Sequence, residues 1–385
     1  MLSKYLGIRL KETEKAGLKR NLLHRASPQG RVIEIQGQKL LNFGSNDYLD
    51  LASSPELKKA SKEAIETYGA ASGASRLLAG GTDLYQRVEK KLAEFKQTEE
   101  ALLFNSGYTA NLTVLQAIVD NQWTILSDEL NHASIIDGCK LSRAKVFVYP
   151  HCDLQALEEK LKGTAGPKLI VTDSVFSMDG DIAPLPALWE LAKTYEAVLY
   201  IDDAHATGVL GEGRGSLAHF KLKAEDDIIQ MGTCSKALGS FGAFVAGTKV
   251  LIEFLISTAR GLIFSTALPP ASVGATEKAI EIIKEQPSRL KKLWENREAL
   301  FEGLKSLGLD TGPTETPIIP VILKDNNTAL SLSQFLFQRG FYCPAIRYPA
   351  VKTPRLRLTV TAAHEPQDIH ALIDAFREAI HCGLL

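Results

Sequence analysis

The chain has 385 residues, more than one compact core normally serves, so one large domain and one smaller domain are expected. Apolar residues make up 45% and charged residues 23%, the balance of an ordinary soluble globular protein, and a formal net charge of −1 excludes a general nucleic-acid binder whose affinity rests on neutralising phosphates. No stretch holds the ~18 uninterrupted apolar residues of a membrane span, and Cys139, Cys152, Cys234, Cys343 and Cys382 are scattered, which predicts free thiols in a reducing cytosol rather than a disulfide frame or a zinc site.

Residues 1 to about 25 read as a helix with Leu2, Leu6, Leu10 and Leu18 on one side, ended by the turn Ser27-Pro28-Gln29-Gly30. The segment is basic, with Lys4, Arg9, Lys11, Lys15, Lys19, Arg20 and Arg25 against Glu12 and Glu14. Two acids and no serine run argue against a transit peptide, so an arm of the mature protein, suited to collecting an anionic substrate, is expected. Arg31 to Ile35 and Lys39 to Phe43 alternate around Gln36-Gly37-Gln38 and predict a hairpin. The polar loop Gly44-Ser45-Asn46-Asp47 follows it.

Gly69 to Gly81 is dense in Gly, Ala and Ser, and Thr82-Asp83 offers an N-cap to a helix over 84–95. A strand over 101–104 then leads through Asn105-Ser106 into a helix starting near Gly107-Tyr108. Helix starts present free N–H groups, so this turn is a candidate phosphate site, weak when taken alone. Strands at 123–127, 146–149, 169–173 and 197–202 alternate with helices, which predicts a mostly parallel sheet with helices on both faces. Loops carrying His132 and Ser177 follow two of these strands, and Asp202 and His205 follow the last; strand ends are where such sheets hold ligands.

Met231 to Ala243 places one cation, Lys236, among hydroxyls, glycines and small apolar residues. A lysine there, once desolvated, loses proton affinity and becomes an amine nucleophile suited to Schiff-base chemistry. Beyond Phe264-Ser265-Thr266-Ala267-Leu268-Pro269-Pro270, a long helix from about Ala271 to Leu307 is expected to bridge to the smaller domain. That domain should contain a strand over 318–323, a helix over 329–339, a strand over 342–346, a strand over 355–361 and a last helix from Pro366. In Arg355-Leu356-Arg357-Leu358-Thr359 the period is 2, so both arginines share one face; read alone, this is an exposed cationic edge.

The order of strand-end Asp202 with His205 three residues on, then Thr233-Cys234-Ser235-Lys236, then Phe264 to Pro270, resembles the α-oxoamine synthases, a pyridoxal-phosphate family. The resemblance runs from Asn42-Phe43-Gly44-Ser45-Asn46-Asp47-Tyr48-Leu49 to Arg355–His364. It implies the aspartate-aminotransferase-like fold (fold type I), with an N-terminal helix and hairpin over 1–45, a large cofactor domain over 46–285 and a small α/β domain over 286–385. It implies pyridoxal 5'-phosphate as cofactor, no metal, and condensation of an amino acid with an acyl thioester, L-alanine and a pimeloyl thioester being the expected pair. Lys236 would hold the cofactor and move the Cα proton, Asp202 face the ring nitrogen, His205 the phenolic oxygen, and Ser177 the ring. His132 would stack on the ring and, with Arg357, hold the substrate carboxylate, while Arg20 and Asn46 would serve the acyl substrate.

The resemblance also implies phosphate donors at Gly107, Tyr108 and Thr233, with Ser265 reaching in from a second subunit, hence a homodimer, while the scattered free thiols place it in the cytoplasm. Close relatives read Ile-Arg-Pro-Pro-Thr-Val where this chain reads Ile346-Arg347-Tyr348-Pro349-Ala350-Val351, which removes a hydroxyl near the acyl site and adds bulk. Sibling acyltransferases that use glycine or serine, and a non-catalytic subunit of the same fold, stay open. Against a nicotinamide dehydrogenase, Gly211-Glu212-Gly213-Arg214-Gly215 falls after the sheet's later strands and not after the first.

Overall fold

A computed structural model of the chain describes residues 1–16 and 18–385. Thirteen strands form three sheets among the described residues. The hairpin is β1 (Val32–Ile35) against β2 (Gln38–Asn42), turned at Gln36 and Gly37, both at positive φ. Next come β3 (Glu100–Phe104), β4 (Thr124–Asp128), β5 (Lys145–Tyr149), β6 (Lys168–Asp173), β7 (Ala197–Asp202), β8 (Ile228–Thr233) and β9 (Ala243–Gly247). These seven make one sheet in the order β3-β9-β8-β7-β6-β4-β5. Every pairing from β8 to β5 is parallel, and β9 alone runs against its two neighbours.

The central strands β4, β6 and β8 are buried nearly end to end, as expected where helices cover both faces. Register then fixes what meets at the rim. Asp173 pairs with Asp202, Asp202 with Met231, and both Thr233 and Phe104 with Ala243. The ends of β3, β6, β7 and β8 are therefore level, and the loops that leave them open onto one crevice.

Residues beyond the large sheet supply β10 (Ile318–Ile322), β11 (Phe341–Tyr342), β12 (Ala345–Ile346) and β13 (Arg355–Thr359). β13 lies between β10 and β12, and β11 joins the hairpin beside β2. The expected strand over 342–346 is thus two short pieces serving two sheets. β13 is buried along its whole length, so its arginines are not an exposed edge, and the apolar Leu356 and Leu358 are as covered as Arg355 and Arg357.

Two helices differ from expectation. The N-terminal one spans Leu2–Lys15, not 1–25; Leu18 lies outside it, and none of its residues is buried. The helix expected over 271–307 is two, Pro270–Glu285 and Pro287–Ser306. Pro287 has no N–H to continue the first helix, and its fixed φ suits the first turn of the second. No helix among the described residues is long and apolar enough to cross a membrane.

Candidate active site

A cavity of about 180 Å³ opens at the level strand ends, lined among others by Gly107, Tyr108, His132, Ser177, Asp202, His205, Thr233 and Lys236. Eight residues singled out in the sequence thus meet in one place, carried by loops 129 residues apart at the extremes, from Gly107 to Lys236. Larger surface hollows lie elsewhere and hold none of this chemistry.

Each side chain is held by local structure. Ser106 caps the helix Gly107–Ile118 by accepting from Thr109 N at 3.1 Å, an interaction worth about 1 kcal/mol. Its first N–H groups, those of Gly107 and Tyr108, point past the helix end and face the cavity with the positive end of the helix dipole. A Cβ added at Gly107 would touch Met231 Cε and Thr233 Cβ at 3.9 Å, filling space a phosphate oxygen could use. Thr233 Oγ1 donates to Gly242 O at 3.0 Å and accepts from Ser235 N at 3.1 Å, which folds the chain sharply just before Lys236.

Asp202 is buried at the end of β7. Asn111 Nδ2 donates to its Oδ2 at 2.7 Å and Ala204 N to its Oδ1 at 2.9 Å. Burial raises its pKa, opposed by the charge of Lys236. Neighbouring Asp173 is pushed well above the usual carboxyl range, by burial and by the charge of Asp202. Burial pulls the Lys236 amine down to about 8, with Asp202 and Asp173 opposing and Arg357 assisting. Burial likewise holds His205 and His132 below the usual imidazole value, so both are neutral near pH 7. Tyr48 Oη lies 2.7 Å from His205 Nδ1 and fixes the ring.

Arg357 reaches the site through its neighbours rather than as part of the lining. Its Nε donates to Ser177 O, and its Nη1 to Asn46 Oδ1 at 3.1 Å. One further edge of the guanidinium remains for a carboxylate. Arg355 is committed to Met178 O at 3.2 Å and to Asp179, so the two arginines of β13 divide between anchoring the loop after β6 and facing the site. Arg20 is exposed on the arm and Ser265 is half-buried at a different surface hollow; neither lines the cavity.

Residues that sequence reasoning missed include Tyr48, Asn111, Ser134 and Asp173. Asp173 had a signal: it ends β6 as Asp202 ends β7. Asn111 had a weaker one, a polar residue four positions after Gly107 on the face turned to the sheet.

The residues fit pyridoxal phosphate: a half-buried amine of lowered pKa, a buried acid in the same cavity, imidazoles of lowered pKa, and helix-start amides for the phosphate. At the carboxyl ends of a mostly parallel sheet, this set defines the fold-type I class of pyridoxal-phosphate enzymes. A family model described as aminotransferase class I and II matches residues 38–376, and the chain belongs to that family. It is 50% identical over 376 residues to the 8-amino-7-oxononanoate synthase of Thermoanaerobacter pseudethanolicus, spanning 96% of this chain and 95% of that one. Against the 8-amino-7-oxononanoate synthase of Symbiobacterium thermophilum it is 46% identical over 381 residues, 97% of each chain. Among solved structures, the Sphingomonas wittichii serine palmitoyltransferase superposes with a TM-score of 0.93 at 30% identity, over 99% of this chain and 98% of that one. The Francisella tularensis 8-amino-7-oxononanoate synthase gives 0.79 at 29% identity, over 90% and 99%.

Proposed function

We propose that the protein condenses L-alanine with a pimeloyl thioester, forming a bond between alanine Cα and the acyl carbon and releasing the thiol and CO2, to yield 8-amino-7-oxononanoate for biotin synthesis. The observation that carries this reading is the pairing of a lowered-pKa Lys236 with the buried Asp202 in one cavity, in a chain half identical to an enzyme of that name. When bound, pyridoxal phosphate supplies an electron sink for the pair left at Cα.

The chain's own residues do the rest. Lys236 would hold the cofactor through its amine and, once released, take and return the Cα proton at Nζ; an amine near 8 is suited to both at neutral pH. Asp202 would keep the ring nitrogen protonated, His205 and Ser177 orient the ring, and His132 cover its face. Gly107, Tyr108 and Thr233 would hold the phosphate, and Arg357 with His132 the amino-acid carboxylate. Asn46, bonded to Arg357, and Arg20 on the basic arm would serve the acyl substrate; Arg347 Nη2 donates to Lys19 O at 3.1 Å and ties that arm to the loop carrying Tyr348.

We take residues 1–45 as the arm, 46–285 as the cofactor domain and 286–385 as the small domain, and the site as shared by two copies of the chain. Ser265 lies outside its own cavity beside the exposed Phe264, which supports its serving a second copy. The five free thiols support a cytoplasmic location. The test supplies L-alanine, glycine or L-serine with a panel of acyl thioesters on coenzyme A or a carrier protein and identifies the ketone by mass. Alanine with pimeloyl thioester should give the fastest turnover. Exclusive use of glycine, or of serine with long acyl chains as the serine palmitoyltransferase overlay makes worth testing, would overturn the named substrates.

A further inference from the structure

Two buried side chains, Asn111 and Ser134, connect Asp202 to His132, and a third, Tyr200, joins at Asn111. Tyr200 Oη lies 2.8 Å from Asn111 Oδ1, Asn111 Nδ2 lies 2.7 Å from Asp202 Oδ2 and 2.9 Å from Ser134 Oγ, and Ser134 Oγ lies 2.8 Å from His132 Nδ1. Tyr200, Asn111 and Ser134 are no more than 1% exposed, so water does not compete for these groups.

Donor counting sets every direction in the chain. Asp202 accepts from Ala204 N at Oδ1 and from the Asn111 amide nitrogen at Oδ2, and the two hydrogens of that nitrogen go to Asp202 and to Ser134 Oγ. Asn111 Oδ1 therefore accepts from Tyr200, which locks the amide against flipping. Ser134 Oγ, having accepted from Asn111, has one hydrogen, and the atom left to take it is His132 Nδ1. Ser134 N also points to His132 Nδ1 at 3.3 Å, so that nitrogen sits between two donors. His132 then carries its proton on Nε2.

We propose that Asn111 and Ser134 are positioning residues that hold His132 as the neutral Nε2–H tautomer, with its donor turned toward the bound substrate, and that the orientation originates at the carboxylate of Asp202. The placing of the substrate rests on the function proposed above; the tautomer does not. Through this chain, the acid at the ring nitrogen and the imidazole on the ring face are set by one amide.

The test is 15N NMR of histidine-labelled full-length protein, with and without pyridoxal phosphate, resolving His132 by its loss in His132→Asn. Wild type should show an unprotonated Nδ1 and a protonated Nε2. Ser134→Ala removes one hydroxyl and leaves the Ser134 position's backbone N–H; both nitrogens should then move toward averaged values, while Ser134→Thr, which keeps the hydroxyl, should match wild type. Turnover should follow: a KM for the amino acid raised roughly three- to tenfold in Ser134→Ala, the worth of about one hydrogen bond, with a smaller change in kcat. A purely structural serine would lower the melting temperature without changing the nitrogen pair. A proton on Nδ1 in wild type, or identical His132 signals in wild type and Ser134→Ala, would overturn the proposal. If Ser134→Ala does not melt cooperatively, Asn111→Leu gives the same readout, since the freed hydroxyl no longer has to point at His132. The NMR result stands whatever the substrates prove to be, which separates its failure from failure of the proposed function.

Discussion

An amine with a pKa of about 8 is ~9% neutral at pH 7, whereas one at the ordinary lysine value of 10.5 is ~0.03% neutral, a difference of ~300-fold in reactive nucleophile. Lys236 owes this to burial, and its neighbours adjust it in known directions: Asp202 and Asp173 hold the pKa up, and Arg357 pushes it down. Two substitutions therefore move it oppositely. Asp202→Asn removes a negative charge that favours the ammonium form, so the inflection should fall below 8. Arg357→Gln removes a positive charge that disfavours it, so the inflection should rise. The assay is competitive labelling of cofactor-free protein with an amine-selective reagent across pH 6 to 11, followed by mass spectrometry of the Lys236 peptide against an added lysine reference peptide. Labelling of Lys236 should be half-maximal near pH 8, about two and a half units below the ordinary lysine value of 10.5. Lys236 titrating with the reference peptide, or Asp202→Asn raising the inflection, would refute the electrostatic account.

Replacing Arg357 with lysine keeps the charge but loses the planar fork between Ser177 O and Asn46; KM for the amino acid should rise by roughly ten- to a hundredfold in steady-state assays, because a charge-assisted contact is worth about 1.5–3 kcal/mol. Tyr48→Phe removes the partner 2.7 Å from His205 Nδ1, and should weaken pyridoxal-phosphate affinity by a few-fold in equilibrium dialysis at little expense to the melting temperature. Gly180→Ala should be severely destabilising, by about 3 kcal/mol or more in urea unfolding, since Gly180 has φ of +76° and an added Cβ would lie 2.2 Å from Ile318 O where the loop after β6 meets β10.

The strand-end logic was readable because a parallel sheet must bury its strands and can expose polar groups only where they stop; Asp202 and His205 follow from that, whereas Ser177 and His132 were singled out by the family resemblance. Lys236 stood out as a cation without local partners. The period of 2 in Arg355–Thr359 was visible and its consequence was not, because alternation cannot tell a half-buried edge from a strand enclosed by β10 and β12. The break at Gln286-Pro287 was missed by the reading of one helix over 271–307, although proline there starts a new helix more readily than it continues an old one. Tyr48 and Asn111 were hidden for a different reason. Tyr48 lies 157 residues from His205 and Asn111 lies 91 from Asp202, and no local pattern marks a pairing that only the packed sheet creates.

The central claim is that the amine at position 236 carries the cofactor. Full-length protein loaded with pyridoxal phosphate, reduced with borohydride, digested and sequenced by tandem mass spectrometry should yield one pyridoxyl group, on the peptide containing Lys236, with none recovered from Lys236→Ala. A pyridoxyl group on another lysine, or no stable adduct in wild type, would contradict it.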